Sequence, residues 1–220
     1  MKIPSLLGAV AATVAALLAA PPVHAAAACP DIDVVFARGT FEPPGVGSIG
    51  QAFVDQLISD AGTKTVNVYP VDYPASTDWF TAAAGVMDAS NHIRTVATDC
   101  PNTKMVLGGY SQGAAVVGFL TANAVPDGYT LPAGLTGPMP NDIANHIAAV
   151  ILFGKPSPGF LNSIGAPPIT IGPLYAAKTV DLCIDDDPIC SGAGGNGSAH
   201  GMYAANGMTG QAAQFAVKRV

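Results

Sequence analysis

The sequence predicts an α/β fold, with a central, mostly parallel five-stranded sheet covered by helices on both faces. Three observations lead there. Strand-like and helix-like segments alternate along the chain, as parallel strands require, because each must be joined to the next by a crossover. The strand-like segments are short, β-branched and apolar at successive positions, which suits strands buried on both faces. Half of the 220 residues are hydrophobic and only 11% are charged, so a sizeable core is available.

The elements follow in order. Lys2, an uncharged apolar run over 6–20, the break at Pro21-Pro22 and the small residues around Ala25 predict a cleaved secretory signal peptide over residues 1–25. Its apolar run is too short to span a bilayer. The remainder, 26–220, is expected to form one domain with no membrane span. Residues 31–37 (DIDVVFA) predict the first strand, followed by a loop through Gly50 and a helix over 51–59. Residues 65–69 predict the second strand. Asp78 can cap a long helix to about Thr98, where Trp79, Ala83, Val86, Ser90, Ile93 and Ala97 recur at a helical period. A third strand over 105–109 leads into a helix over 113–123. The fourth and fifth strands fall at 148–153 and 179–183. Residues 209–220 close the chain as a helix with Lys218 and Arg219 in its last turn, where cations suit the helix dipole.

Composition excludes several functions. Disorder requires low hydrophobicity and high net charge, and neither holds. Nucleic-acid binding requires a basic surface, whereas nine Lys and Arg stand against fifteen Asp and Glu, a net charge of −6. All four cysteines, Cys29, Cys100, Cys183 and Cys190, lie in the exported part, where an even count reads as two disulfides with three possible pairings. Cys183 and Cys190 are near enough in sequence to close a small loop, which leaves Cys29 with Cys100. No CxxC pair or His spacing suggests zinc.

The chemistry gathers at Gly109-Tyr110-Ser111-Gln112-Gly113, a G-x-S-x-G between an apolar strand and a helix. A nucleophile elbow of the α/β-hydrolase type belongs there. Its tight turn leaves no room for neighbouring side chains, lifts the serine clear of the sheet and sets helix N–H groups beneath a forming oxyanion. A serine nucleophile needs a base. His92 falls within the long helix and His146 in a short polar segment, so both read as surface or structural. His200 follows a glycine-rich stretch beyond the last strand and fits the hydrolase order of serine, acid, histidine. The acid belongs between them. Asp185, Asp186 and Asp187 follow the fifth strand directly, and spacing does not choose among them; Asp181, within the strand, is a weaker candidate.

One motif competes. Gly45-Val46-Gly47-Ser48-Ile49-Gly50 spells G-x-G-x-x-G, with Asp72 about twenty residues on, the dinucleotide fingerprint. That fingerprint must begin at a strand end, yet residues 38–44, including Pro43-Pro44, intervene. No nicotinamide or other cofactor is expected.

These residues resemble the cutinase family, particularly the secreted cutinase-like esterases of mycobacteria. Cys29 leads through a short strand to Ala37-Arg38-Gly39-Thr40. The G-Y-S-Q-G elbow stands eleven residues after Cys100, a C-x-x-x-D-x-x-C loop runs from Cys183 to Cys190, and His200 lies thirteen residues beyond Asp187. The resemblance covers nearly all of the exported chain. It implies Ser111 as nucleophile, His200 as general base and acid, and Asp187 as its orienter. It also implies an oxyanion hole from the N–H groups of Thr40 and Gln112, disulfides Cys29–Cys100 and Cys183–Cys190, and a small fold with little or no lid. In one place the chain departs from fungal cutinases: residues 191–198, before the histidine, are small and polar where those carry bulky apolar groups. Trp79 and Phe80 can line the opposite rim or pack under the helix start.

The expected function is that of a secreted, monomeric esterase without a cofactor, hydrolysing short- to medium-chain acyl or lipid esters through an acyl-enzyme. A phospholipase or acyltransferase with the same triad is the rival within enzymes. A secreted surface-binding protein with a vestigial site is the rival outside them.

Overall fold

Five apolar segments pair side by side in parallel, as their continuous hydrophobicity predicts. The computed structural model describes residues 28–131, 133–192 and 194–220; the predicted signal peptide lies outside them. The strands are β1 (Ile32–Ala37), β2 (Val66–Pro70), β3 (Lys104–Tyr110), β4 (Ile147–Phe153) and β5 (Thr179–Leu182), in the order β2-β1-β3-β4-β5. Every pairing is parallel.

Strand periodicity divides the core in two. Ile32, Val34 and Phe36 of β1 join Val106, Ile151 and Phe153 beneath helices α1 (Gly47–Asp60) and α6 (Met208–Val217). Val35 and Ala37 point the other way. They meet Leu107, Val150 and Leu152 beneath α2 (Ala82–Asp99) and α3 (Gln112–Leu120). Short helices α4 (Pro158–Ser163) and α5 (Pro173–Ala176) carry too few residues for a helical period to show in sequence. Proline starts each, and Ser157 caps α4 by accepting the Phe160 N–H.

Several boundaries differ from expectation for local reasons. Helix α1 begins four residues early because the Glu42 carboxylate reaches its first turn, accepting the Ser48 N–H at 2.7 Å and the Ser48 hydroxyl at 2.9 Å. The N-terminus within the G-x-G-x-x-G segment is thus occupied by the chain's own anion. Asp78 does cap, but it caps a 3-10 turn at Trp79–Thr81 that precedes α2. Helix α3 stops at Leu120, where the Thr121 hydroxyl turns back onto the Val117 carbonyl. Helix α6 ends at Val217, so Lys218 and Arg219 lie past its last turn; Arg219 still donates to the Phe215 carbonyl at 2.8 Å.

Disulfides join Cys29 to Cys100 and Cys183 to Cys190. The first ties the entry of β1 to the end of α2, and the second closes the loop after β5. Strand order reverses between β1 and β3, and ligands of open α/β sheets bind outside the carboxyl ends of strands at such a point. Thr40 and Ser111 follow those two strands.

At the opposite ends of the strands, a polar cluster around the buried Asp33 carboxylate gives His92 its place. Its Nε2 lies 2.8 Å from Oδ2 of fully buried Asp33, and its ring stacks on Tyr69 with centroids 3.6 Å apart. Asn67 donates to the other Asp33 oxygen, and Tyr69 donates to Asp88. Burial first, then the Asp88 hydrogen bond, pushes the Tyr69 phenol up to about 12. Replacing His92 by Ala leaves a buried carboxylate without its ring partner, so unfolding in urea is expected to show a loss of about 3 kcal/mol. A loss below about 1 kcal/mol would show that Asp33 does not depend on the imidazole.

Candidate active site

Ser111 sits at a turn that the two glycines make possible. A Cβ on Gly109 would lie 2.2 Å from the Gly113 carbonyl oxygen, and one on Gly113 only 2.0 Å from the Ala37 carbonyl oxygen. With neither present, β3 passes into α3 at a single residue, and Ser111 adopts φ 55°, ψ −119°. A non-glycine residue at positive φ stores strain of about 1–3 kcal/mol, held here by the packed elements on either side. The Ser111 N–H donates to the Phe153 carbonyl of β4 at 2.9 Å, which fixes the turn against the sheet.

The structure brings together the three residues expected from sequence. His200 Nε2 lies 2.8 Å from Ser111 Oγ, and His200 Nδ1 lies 2.7 Å from Asp187 Oδ2. With a carboxylate at Nδ1, that nitrogen carries the proton and Nε2 is free to accept the serine hydroxyl proton. Asp187 is fully buried, whereas Asp185 and Asp186 are exposed. Its charge is matched by three donors: His200 Nδ1–H, the Tyr203 hydroxyl at 2.5 Å and the Ile189 N–H at 2.8 Å. Asp181 instead pairs with Lys155 at 3.2 Å. His146 lies just before β4, at the far end of the sheet from the elbow.

His200 is carried on a 3-10 turn, Gly197–Gly201, rather than on the open loop its glycine-rich neighbourhood suggests. Asn196 caps that turn by accepting the Ser198 N–H. Tyr110, the residue before the serine, donates its hydroxyl to the His200 carbonyl at 2.8 Å and sets its ring 5.0 Å from the imidazole. Burial, then the charges of Glu42 and Asp187, raises the Tyr110 phenol to about 12, so it remains a donor. Burial, followed by the Asp187 hydrogen bond, raises Tyr203 further still.

The predicted oxyanion donors flank the elbow. Gln112 is the first residue of α3, so its N–H has no partner within the helix. Thr40 belongs to a loop held from both ends. The buried Arg38 guanidinium donates to the carbonyls of Glu42 (2.9 Å), Val71 (3.3 Å) and Tyr73 (2.5 Å), and the Tyr73 hydroxyl returns a bond to the Arg38 carbonyl. Glu42 accepts the Gly39 N–H at 2.7 Å. The Gln112 side chain donates to the Ser76 carbonyl at 2.9 Å, pinning the segment that leads to Trp79 beside the elbow.

Arg38, Glu42, Tyr110 and Tyr203 were not singled out as working residues by sequence reasoning. Arg38 and Tyr110 stand inside the quoted motifs, so position alone marked them. Nothing local marks Tyr203, whose role depends on the Asp187 loop folding back over it. Phe41 and Phe80 are exposed one residue after Thr40 and Trp79, and Met202 two residues after His200, which makes the surroundings of the site apolar.

A serine at a strained strand–helix turn, on a parallel sheet and backed by a histidine and an acid from later loops, defines the α/β-hydrolase class. The Cutinase family model matches residues 28–220, and the chain belongs to that family. It is 56% identical to the probable carboxylesterase Culp5 of Mycobacterium tuberculosis over 174 residues, 79% of this chain and 98% of that one. It is 48% identical to the carboxylesterase Culp1 of the same species, covering 98% of this chain and 94% of that one. Among solved structures, Trichoderma reesei cutinase in complex with a phosphonate inhibitor is similar, with a TM-score of 0.66 and 34% identity over 86% of this chain and 76% of that one. The chain is a serine ester hydrolase. Its two disulfides suit an oxidising compartment, and no described helix is long and apolar enough to cross a membrane.

Replacing Tyr203 by Phe keeps the ring but removes one donor from Asp187. Steady-state kinetics on a p-nitrophenyl ester are expected to show kcat about tenfold lower with KM nearly unchanged; an unchanged kcat would deny the hydroxyl a positioning role. Replacing Cys183 and Cys190 by Ser frees the loop that carries Asp187. The expected loss in kcat is about tenfold or more, given the sensitivity of such geometry to displacements near 1 Å.

Proposed function

We propose that Ser111, His200 and Asp187 form a catalytic triad with which this secreted, monomeric enzyme hydrolyses short- to medium-chain acyl esters. The observation that carries the reading is the unbroken line of hydrogen bonds from Ser111 Oγ through the imidazole to the buried Asp187 carboxylate. Signal-peptide features in residues 1–25 and the two disulfides support export.

The chemistry follows from the geometry. Ser111 Oγ attacks the ester carbonyl carbon while its proton passes to His200 Nε2. Asp187 holds the ring in the required tautomer and stabilises the imidazolium. Negative charge develops on the carbonyl oxygen, and the N–H groups of Thr40 and Gln112 are the donors proposed to receive it. Collapse breaks the bond to the alcohol, which leaves with the proton from Nε2. Water then attacks the acyl-enzyme, giving its proton to the same nitrogen, and the acid departs as the proton returns to Ser111. The elbow supplies the serine with no further rearrangement, because its backbone is already in place.

Replacing Ser111 by Ala is expected to lower kcat on p-nitrophenyl butyrate by at least about 10³-fold, with the unfolding midpoint nearly unchanged. A fluorophosphonate should label the parent protein at Ser111 and leave the variant unlabelled. Undiminished hydrolysis in the variant, or label on another residue, would overturn the assignment.

A further inference from the structure

Tyr110 is the last residue of β3, one peptide bond before the nucleophile. Parallel pairing sets Ala37 of β1 beside Gly109 of β3, so the segments leaving the two strands run side by side. Gly39 thereby comes against the Tyr110 ring: a Cβ at position 39 would lie 2.7 Å from Tyr110 Cδ1 and 2.8 Å from Cε1. The same side chain reaches the base, with its hydroxyl on the His200 carbonyl at 2.8 Å. We infer that Gly39 and Tyr110 form one positioning unit that couples the oxyanion loop to the histidine turn, an inference that rests on the triad and oxyanion donors proposed above.

The first support is the direction of the N–H groups in the loop. Gly39 donates to the Glu42 carboxylate at 2.7 Å, Phe41 to the Ala75 carbonyl at 2.7 Å and Glu42 to the Gly39 carbonyl at 3.2 Å. Among residues 39–42 of the described chain, this leaves the Thr40 N–H for a substrate oxygen. That N–H shares a peptide plane with the Gly39 carbonyl, and in a trans peptide the two point in opposite directions. A tilt at Gly39 therefore re-aims the Thr40 N–H.

The second is the reason for a glycine at this place. Gly39 is not among the glycines with positive φ, so its backbone conformation is open to alanine. What excludes a side chain is the Tyr110 ring. The next nearest atom, Glu42 Oε2, would lie at 3.3 Å, within a few tenths of an ångström of ordinary contact.

The third is that the ring is not free to swing. Its hydroxyl is held by the His200 carbonyl, and its centroid lies 5.0 Å from the imidazole and 6.0 Å from the Tyr203 ring, which it meets edge to face. Tyr203 in turn donates to Asp187. Carbon atoms in ordinary contact stand about 3.5 Å or more apart, so a Cβ at position 39 must part ring and loop by about 1 Å. Either the Thr40 N–H moves off the substrate oxygen, or the ring pushes the histidine turn off the serine.

Kinetics on p-nitrophenyl butyrate, with kcat expressed per site titrated by a fluorophosphonate, test the coupling. Gly39→Ala is expected to lower kcat by at least about tenfold, with KM within about twofold of the parent. Tyr110→Phe keeps the ring and loses one hydrogen bond, so kcat falls about fivefold and Gly39→Ala remains as costly in that background. Tyr110→Val removes the ring as well. Its own kcat is lower, yet adding Gly39→Ala to it is expected to cost less than about twofold. An equal cost of Gly39→Ala in the parent and in the Val background overturns the inference. So does an unchanged kcat in Gly39→Ala or in Tyr110→Phe, or a loss carried wholly by KM. If circular dichroism shows that Gly39→Ala folds only together with Tyr110→Val, the ring is the obstacle and the inference holds; if neither folds, it falls. Parent enzyme that takes no fluorophosphonate removes the triad and the inference together. Parent enzyme that is labelled, with additive losses in the variants, leaves the triad standing and removes the coupling alone.

Discussion

The single residue between β3 and α3 is the constraint on which the rest depends. For the chain to turn from strand to helix at Ser111, its backbone must take a positive φ, and the helix must approach β1 closely enough that a Cβ at position 113 would strike the Ala37 carbonyl. That approach sets α3 against the end of β1. It also brings the free N–H at the helix start close to the loop bearing Thr40. The strain at Ser111 is balanced by sheet and helix packing on both sides. A site built on such a turn does not require a lid to assemble it.

Around this fixed point, three separate hydrogen-bonded supports hold the other parts. Arg38 and Glu42 shape the loop after β1 by binding its carbonyls and N–H groups. Tyr110 holds the turn of His200 from the elbow side. Tyr203, Ile189 and the imidazole surround Asp187, and the Cys183–Cys190 bridge closes the short loop that presents it. Each support is at least partly shielded from water, where hydrogen bonds are stronger and their loss is costly. The second histidine–aspartate pair, His92 with buried Asp33, uses the same interaction at the far end of the strands for packing.

Much of this was legible along the chain. Continuous apolar strands gave the parallel sheet, and the spacing of glycines around Ser111 gave the elbow, because both patterns express short-range geometry. Three adjacent aspartates could not be told apart by composition. In the fold, Asp187 is buried against His200, whereas Asp185 and Asp186 face solvent. From sequence His92 reads as surface or structural, and the fold makes it structural; its carboxylate partner lies 59 residues away, outside any local window. Sequence allows Trp79 either on the rim or packed under the helix start. It walls a cavity and also packs 5.6 Å from Phe160, on a short helix that sequence reasoning missed.

What the sequence determined by itself was the order of strands and helices, the elbow, and the candidates for acid and base, since each depends on residue type at short spacing. Tertiary structure decided which carboxylate meets the imidazole, which tyrosines hold them, and which face of the sheet carries the apolar cavity. Those outcomes follow from how helices on opposite faces cover one sheet, bringing together side chains that are up to 90 residues apart in sequence.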